Sequence, residues 1–392
     1  MKPDFRPKFV QNRTDMDITI LGAGIAGLTT AISLQQAGHT VTVFEAAPQI
    51  KGIGAGLVLA ANAMQVYHRI GMQDKVMAKG RQVAFFNVTA QNGRILTRAD
   101  SAEIAQRYGV NNFTIHRGDL HAVLLAELDP ARVHAGKRAL RITEAGDQVT
   151  VEFADGSRHS CAALVVADGI HSAIRQQLLP GARERYAGYT CWRAVVDVPG
   201  LHLSEATETW GRNGRFGLVP LQGDKVYWFA CVNAPAQDAR MKAWRVADLQ
   251  RQFAQHHAPI PQVLAATRDA DLLWNDIIDL APIDRFAFGR TVLTGDAAHA
   301  TTPNMGQGAC QAIEDAWVLA DCLRQDSDPV TAFRAFDQRR LPRTRWIVEN
   351  SWRFGKVAQW ENPVACAVRD FAVRLVPKSA NEKTLKRLYE WM

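Results

Sequence analysis

The sequence predicts an α/β fold: a parallel-sheet core domain, an antiparallel β-sheet inserted into it, and a helical region at the C-terminus. Three observations predict it. Residues 17–44 run strand, glycine-rich turn, helix, strand. Residues 189–233 carry short strand patterns separated by turn residues. From Asp328 onward apolar residues recur at helical spacing.

The N-terminal unit, residues 17–38, reads DITILGAGIAGLTTAISLQQAG. Ile18, Ile20 and Leu21 form a short buried strand. Gly22-x-Gly24-x-x-Gly27 follows, with Ala26 in the first turn of a helix that continues through Leu28, Ala31, Ile32 and Leu34 and ends at Gly38. Residues 40–44 form a second strand that ends in Glu45. This is a complete Rossmann-like dinucleotide-binding unit. Gly22 permits the tight turn, Gly24 lets backbone approach a pyrophosphate, and Gly27 lets helix and strand pack closely. The helix N-terminus offers free N–H groups to phosphate, and Glu45 is placed to accept hydrogen bonds from a ribose diol. The fingerprint alone does not choose between NAD and FAD.

The next segments narrow the choice. Residues 52–64, GIGAGLVLAANAM, hold a second glycine cluster around Ala55 and Gly56. No new strand and helix is expected to frame it, so it reads as backbone brought close to a ligand. Arg117 stands just before a helix whose apolar face is Leu120, Val123, Leu124 and Leu128. Residues 164–167 form a buried strand that ends in Asp168-Gly169, and Arg175 closes the following turn of helix. Residues 291–316 read TVLTGDAAHATTPNMGQGACQAIEDA. They run from a strand through Gly295-Asp296, Pro303 and Gly306-Gln307-Gly308 into a helix over 309–323. Asp296 and His299 suggest acid–base catalysis, but a His in a rigid loop is more often a tie that holds it.

Composition excludes several classes. The chain has 392 residues, 47% hydrophobic, with a formal charge of +7. No apolar run reaches the roughly 18 to 20 residues that span a bilayer, and residues 1–15 read as a polar tail without a secretory apolar stretch. A cytoplasmic protein is expected, either monomer or homodimer, with no integral membrane segment. No nucleic-acid-binding pattern is present. The six cysteines lie far apart with no C-x-x-C pair, so no metal site is expected.

The order Gly22-x-Gly24-x-x-Gly27, Arg117, Ala167-Asp168-Gly169, Gly295-Asp296-Ala297-Ala298-His299 resembles the single-component (class A) FAD-dependent aromatic hydroxylases, the p-hydroxybenzoate hydroxylase-like family, over roughly residues 16–345. Among its branches the chain looks most like the FAD-dependent urate hydroxylases, the hydroxynicotinate monooxygenases and the tetracycline-inactivating monooxygenases. The family often has Pro-Asn-Ala where this chain has Ala61-Asn62-Ala63. The resemblance implies a GR2-type FAD-binding domain. It implies that Asp296 meets the ribityl chain and Pro303 the reactive face of the ring. Gly306, Gln307 and Gly308 would face the pyrimidine edge, Arg117 the flavin or its ribityl chain, and Asp168 the loop near the pyrophosphate.

The resemblance divides the chain into FAD-binding parts at 16–75, 111–182 and 285–330. The substrate domain takes 76–110 and the sheet of 183–284, and C-terminal helices occupy 331–392. Strands are expected at 189–198, 207–210, 215–220 and 225–233. Arg193, Arg215, Tyr227 and Trp228 are the pocket candidates. Period 2 puts Tyr227 and Phe229 on one face and Trp228 and Ala230 on the other, so Tyr227 and Trp228 cannot both face the flavin. In the urate hydroxylase resemblance, Arg215 and Tyr227 meet the substrate, and Tyr227 would help deprotonate it while Arg215 stabilises an anion. The C-terminal helices carry Ile347, Phe354, Val357 and Ala358 on one face. They are expected to pack on the cofactor domain with snorkelling basic residues.

The implied function is an FAD-dependent monooxygenase that uses NAD(P)H and O2 to hydroxylate an aromatic or heteroaromatic small molecule through a flavin C4a-hydroperoxide. The chain has one dinucleotide fingerprint, so NAD(P)H would bind without a module of its own. Other readings are a flavin oxidoreductase that inserts no oxygen, a tetracycline-type polyketide monooxygenase, and a non-enzymatic binder on the same fold.

Overall fold

A computed structural model describes residues 15–52 and 54–390; most of the polar tail lies outside them. The core is a six-stranded sheet in the order Ala287–Phe288, Thr291–Leu293, Ala163–Val166, Asp17–Leu21, Thr40–Phe44, Val133–His134. Its central strands pair in parallel, and only Ala287–Phe288 runs antiparallel. Residues 18–21 and 163–166 are buried on both faces and, apart from Thr19, apolar, as a parallel sheet covered by helices requires.

The glycines of the first turn act through sterics. A Cβ on Gly27 would lie 1.8 Å from the Gly22 carbonyl oxygen, so only glycine lets the helix Ile25–Gln36 sit against the first strand. Gly22 has φ +101°, and a Cβ there would meet the Ala167 oxygen at 2.3 Å. A Cβ on Gly24 would meet nothing within 4 Å, because that position faces open space.

The second glycine cluster differs from the expectation. It is framed by a strand, Gly56–Leu59, and a helix, Ala61–Arg69. That strand runs antiparallel to Phe113–His116, with Gly80–Gln82 on the other side, so it forms a small separate sheet and not a second dinucleotide unit.

The inserted sheet has seven strands: Leu273–Leu280, Glu184–Asp197, Lys225–Asn233, Gly214–Pro220, Ala206–Gly211, Phe85–Ala90, Ile95–Asp100. Its last two strands come from a distant part of the chain, and Phe85–Ala90 joins Ala206–Gly211 in parallel. One face is an apolar core. Trp192, Phe216 and Trp228 pack there with Leu249, Phe253, Ile260 and Val263 of the covering helices. The Phe216 and Trp228 rings stack at 5.3 Å. Trp228 Nε1 donates to Thr267 Oγ1 at 3.0 Å. The pocket candidate Trp228 is therefore a core residue.

Behind the core sheet the helix Gly308–Gln325 packs on the long helix Pro329–Ala358. Ionic groups are buried between them. Arg340 donates from Nε to Asp315 Oδ1 at 2.7 Å and from Nη1 to Glu314 Oε2 at 2.6 Å. Arg343 adds two bonds to Glu314, at 2.6 and 2.7 Å. Asp315 Oδ2 accepts from the Gly295 N–H at 2.8 Å and lies 2.6 Å from His299 Nε2. Burial opposes the charge on Asp315, but His299 and Arg340 outweigh it and hold the carboxyl below its ordinary range. His299 thus ties the 295–308 loop to the helix behind it. Asn62 joins the same cluster, donating to Gln307 Oε1 at 3.0 Å and to Glu314.

The C-terminal face splits. Ile347 and Ala358 are buried, whereas Phe354 and Val357 are partly exposed. Phe354 lies edge-on to Trp210 at 5.4 Å, and Arg185 and Lys356 cover Trp352.

Two stability experiments follow from this packing. Arg340→Met leaves buried carboxylates short of a cation, a loss of about 3–5 kcal/mol in urea unfolding; an unchanged midpoint would show that the cluster is not needed. His256 is buried with no partner on either ring nitrogen among the described residues. Burial, with neighbouring His257, lowers it from 6.5 to about 4. The folded state thus keeps it neutral while the unfolded chain takes up a proton below pH 6.5. Stability present above pH 6.5 is lost as pH falls toward 4, by about 3 kcal/mol in all. His256→Gln should shrink the difference between unfolding at pH 7 and pH 4.5 by about 2–3 kcal/mol; an equal difference in both proteins refutes the assignment.

Candidate active site

A cavity of about 380 Å³ lies between the core domain and the open face of the inserted sheet. That is the size range of small-molecule sites. On one side it is lined by Gly24, Ala26, Gly56, Arg117 and Asp296, and by the loop Pro303, Gly306, Gln307, Gly308. On the other it is lined by Arg193, Glu208, Arg215, Tyr227 and Phe229 with Cys191, Cys231 and Val219.

Strand register builds the second wall. Val219 pairs with Tyr227, Gly217 with Phe229 and Arg215 with Cys231. Opposed residues in an antiparallel pair share a face, so these side chains all project away from the Trp228 core. On the next strand, Val195, Arg193 and Cys191 pair with the same three positions and join that face. Gly217 is glycine because a Cβ there would lie 2.0 Å from the Phe229 ring. Gly56 crosses directly over Tyr227, where a Cβ would lie 2.4 Å from its ring.

Arg215 is buried and fixed on three sides. Nε donates to Gln359 Oε1 at 2.7 Å, Nη1 to Glu208 Oε1 at 2.9 Å, and Nη2 to Asn304 Oδ1 at 2.8 Å. Its guanidinium lies 5.2 Å from the centre of the Tyr189 ring. Burial works against its charge, but Glu208 outweighs that and the group stays above its ordinary value. Asn304 also accepts from the Tyr189 hydroxyl at 2.9 Å and donates to Thr302 Oγ1 and the Ser351 carbonyl. It therefore bolts the 303–308 loop to the sheet. Burial pushes the Tyr227 phenol well above its usual range, so it keeps its proton at neutral pH. Arg193 donates to Asn275 Oδ1 at 2.6 Å.

The remaining expected cofactor residues lie behind the cavity wall. Gly22, Gly27 and Gly295 shape backbone. Gly295 has φ +56°, and a Cβ on it would lie 2.8 Å from the Ala26 Cβ. Ala55 accepts from the Arg117 N–H at 2.9 Å. Glu45 accepts from Ala23 N–H at 2.7 Å and Ala47 N–H at 2.8 Å, which fixes its carboxylate beside the glycine turn. Asp168 is next to Gly169, which lines the cavity. Burial raises its carboxyl above the usual range, and Oδ1 has no partner among the described residues. Sequence reasoning missed Glu208, Asn304 and Gln359; no motif marks them, and only strand register and helix docking bring them to Arg215.

The donor set fits a flavin dinucleotide. The helix Ile25–Gln36 opens at Gly24 with no acidic residue in its first turn and no side-chain cap. The helix Gly308–Gln325 opens likewise at the far end of the cavity. Two uncapped helix N-termini suit a diphosphate at one end and the electron-rich edge of a ring at the other. The orphaned Asp168 oxygen and the open space at Gly24 add an acceptor and room for a ligand. No group of His, Cys, Asp and Glu among the described residues is arranged to hold a metal ion.

Comparison with known proteins agrees with this geometry. A family model described as an FAD binding domain matches residues 15–351. The chain is 37% identical to aurachin C monooxygenase/isomerase of Stigmatella aurantiaca, covering 96% of this chain and 98% of that one. It is 34% identical to 2-heptyl-3-hydroxy-4(1H)-quinolone synthase of Pseudomonas aeruginosa, covering 95% and 98%. Among solved structures, Klebsiella pneumoniae HpxO complexed with FAD and uric acid superposes with a TM-score of 0.88 at 31% identity, covering 95% of this chain and 97% of that one. The chain belongs to the FAD-binding-domain family and is an FAD-dependent monooxygenase of the aromatic hydroxylase type.

Proposed function

We propose that this enzyme hydroxylates a bicyclic N-heteroaromatic small molecule, with NAD(P)H as electron donor and O2 as oxygen source, and that Arg215 and Tyr227 hold the ring. The observation that carries the reading is the shared face of Arg215, Tyr227 and Phe229, set across one cavity from Pro303 to Gly308. Two of the similar proteins point to the substrate class. One is named for a hydroxyquinolone, and the other was solved with uric acid. Both are fused rings that carry a ring N–H and a ring carbonyl. The six cysteines are free thiols, which suits the reducing cytoplasm.

Bound FAD supplies electron transfer from NAD(P)H and activation of oxygen. The protein supplies position and electrostatics. The N–H groups at Gly24 and Ile25 would hold the diphosphate, and Glu45, fixed by Ala23 and Ala47, would hold a ribose. Asp296 and Arg117, which line the cavity, would hold the rest of the cofactor. The N–H groups at the start of the helix Gly308–Gln325 would stabilise negative charge on the ring edge. Phe229 and Tyr227 form an apolar wall that keeps water from the reacting carbon. Tyr227 keeps its proton, so it acts as a hydrogen-bond donor; a proton acceptor must be sought elsewhere on the face.

Three measurements test this. FAD-loaded enzyme mixed with NADH or NADPH and a panel of quinolones, purines, hydroxypyridines and phenols should oxidise nicotinamide faster with one class, without matching peroxide. Acceleration by none, or peroxide equal to all the nicotinamide consumed, contradicts oxygen insertion. Tyr227→Phe should lower kcat/KM by about five- to tenfold, the worth of one neutral hydrogen bond, and raise the peroxide fraction; unchanged coupling removes Tyr227 from the site. Asp296→Ala should weaken FAD retention on dilution at least ~10-fold, as loss of a bond to a charged group does, with an unchanged circular dichroism spectrum; full retention removes Asp296 from the cofactor set.

A further inference from the structure

Arg215 does not face the cavity as a free cation. Glu208, on the neighbouring strand Ala206–Gly211, pairs with it at 2.9 Å. Register puts Glu208 opposite Gly217, so it shares the pocket face. One oxygen, Oε1, accepts from both Arg215 Nη1 and Trp210 Nε1, each at 2.9 Å. The other, Oε2, accepts nothing among the described residues. The Glu208 side chain lines the cavity with 23% of its surface open, while Arg215 is closed to 2%. A carboxylate clamped by one oxygen and open at the other is a directed acceptor. The guanidinium beside it has N–H groups left over after its three bonds.

We propose that Glu208 is the substrate-side proton acceptor and a specificity-determining residue. With Arg215 it reads a neutral ring edge that carries an N–H or O–H donor next to a carbonyl oxygen. Oε2 takes the donor, and a spare Arg215 N–H meets the carbonyl. The proposal rests on the hydroxylase reading of the same cavity. It replaces an anion site with a site for an uncharged lactam or enol, because the Arg215 charge is already balanced.

The pairing also explains how the ring is activated. When the substrate proton moves from nitrogen or oxygen to Oε2, its bonding electrons stay on the ring, which becomes a stronger nucleophile. Glu208 becomes a neutral acid, and Arg215 then pairs with the substrate anion. The guanidinium keeps one counter-charge throughout, so the transfer adds no net charge to a buried site. The proton returns from Oε2 after the ring has reacted. The ionisable groups around Glu208 are Arg215 on the adjoining strand, Cys231 and Tyr189 on the two strands beyond it, Arg193 and Tyr227 farther along the face, and Arg369, whose guanidinium lies over the Trp210 ring. Asp296 is the carboxylate on the opposite, core-domain wall of the same cavity.

The test uses FAD-loaded enzyme, a 2(1H)-quinolone, whose ring N–H adjoins its carbonyl, its N-methyl derivative, and salicylate. Binding is read from perturbation of the flavin absorbance. The N–H quinolone should bind about 10- to 100-fold more tightly than the N-methyl compound, the worth of a hydrogen bond to a charged acceptor. Glu208→Gln should remove most of that difference between the two quinolones. In turnover, the acid limb of the wild-type kcat/KM profile should vanish in Glu208→Gln, and its residual rate should climb with pH as solvent takes the substrate proton. The proposal is overturned if the two quinolones bind alike, if neither binds, if salicylate binds more tightly than the N–H quinolone, or if the variant keeps the wild-type pH profile. The quinolone comparison needs no variant, so it holds even if Glu208→Gln folds poorly. If Glu208-dependent binding is found but all nicotinamide is consumed as peroxide, the hydroxylase reading fails and the recognition of the ring edge stands.

Discussion

The site depends on the charge cluster buried between the helix Gly308–Gln325 and the long helix behind it. Asp315 holds the Gly295 N–H and His299, and so fixes both the entry and the body of the 295–308 loop. Glu314 gathers Arg340, Arg343 and Asn62. Asn62 starts the helix after the second glycine cluster, so two loops that line the cavity from opposite ends of the sequence share one anchor. Buried charge is costly unless every member is paired. Each carboxylate and each guanidinium of this cluster is paired, which holds the loop in the fixed geometry that a preorganised cofactor site needs.

The second constraint is the two-residue period of the inserted sheet. One face buries Trp192, Phe216 and Trp228 under helices, and the other must then present Arg215, Tyr227 and Phe229 to the cavity. A slip of one residue would exchange core and active site, so the aromatic core fixes the register of the polar wall. Asn304 links the two constraints. It belongs to the flavin-side loop yet bonds Arg215 and Tyr189 on the sheet. Gln359, at the end of the long helix, closes the same ring of contacts.

Much of the cofactor half was legible in the sequence, because its determinants are local. Gly22 and Gly27 are required by contacts within a few residues or with the adjoining strand, and the helix starts at Gly24 and Gly308 follow directly from the chain pattern. The alternation of Tyr227 and Trp228 was legible for the same reason. The strand at Gly56–Leu59 was not, since its partner Phe113–His116 is over fifty residues away and its glycines mask a strand pattern. Nor was the Glu208 pairing: Glu208 and Arg215 meet across a hairpin whose register depends on the core beneath it. Reading Arg215 from sequence suggests an anion site; reading it with Glu208 beside it suggests a neutral ring edge.

A monooxygenase built on this cavity inserts one atom of molecular oxygen into a ring that we propose is held between the sheet and the flavin-side loop. Turnover under ¹⁸O2 in ordinary water, with mass spectrometry of the product, tests it most directly. Oxygen insertion by this enzyme gives one heavy oxygen in the product for each nicotinamide oxidised in coupled turnover. A product that carries oxygen from water, or one that gains no oxygen while nicotinamide is consumed, would contradict it.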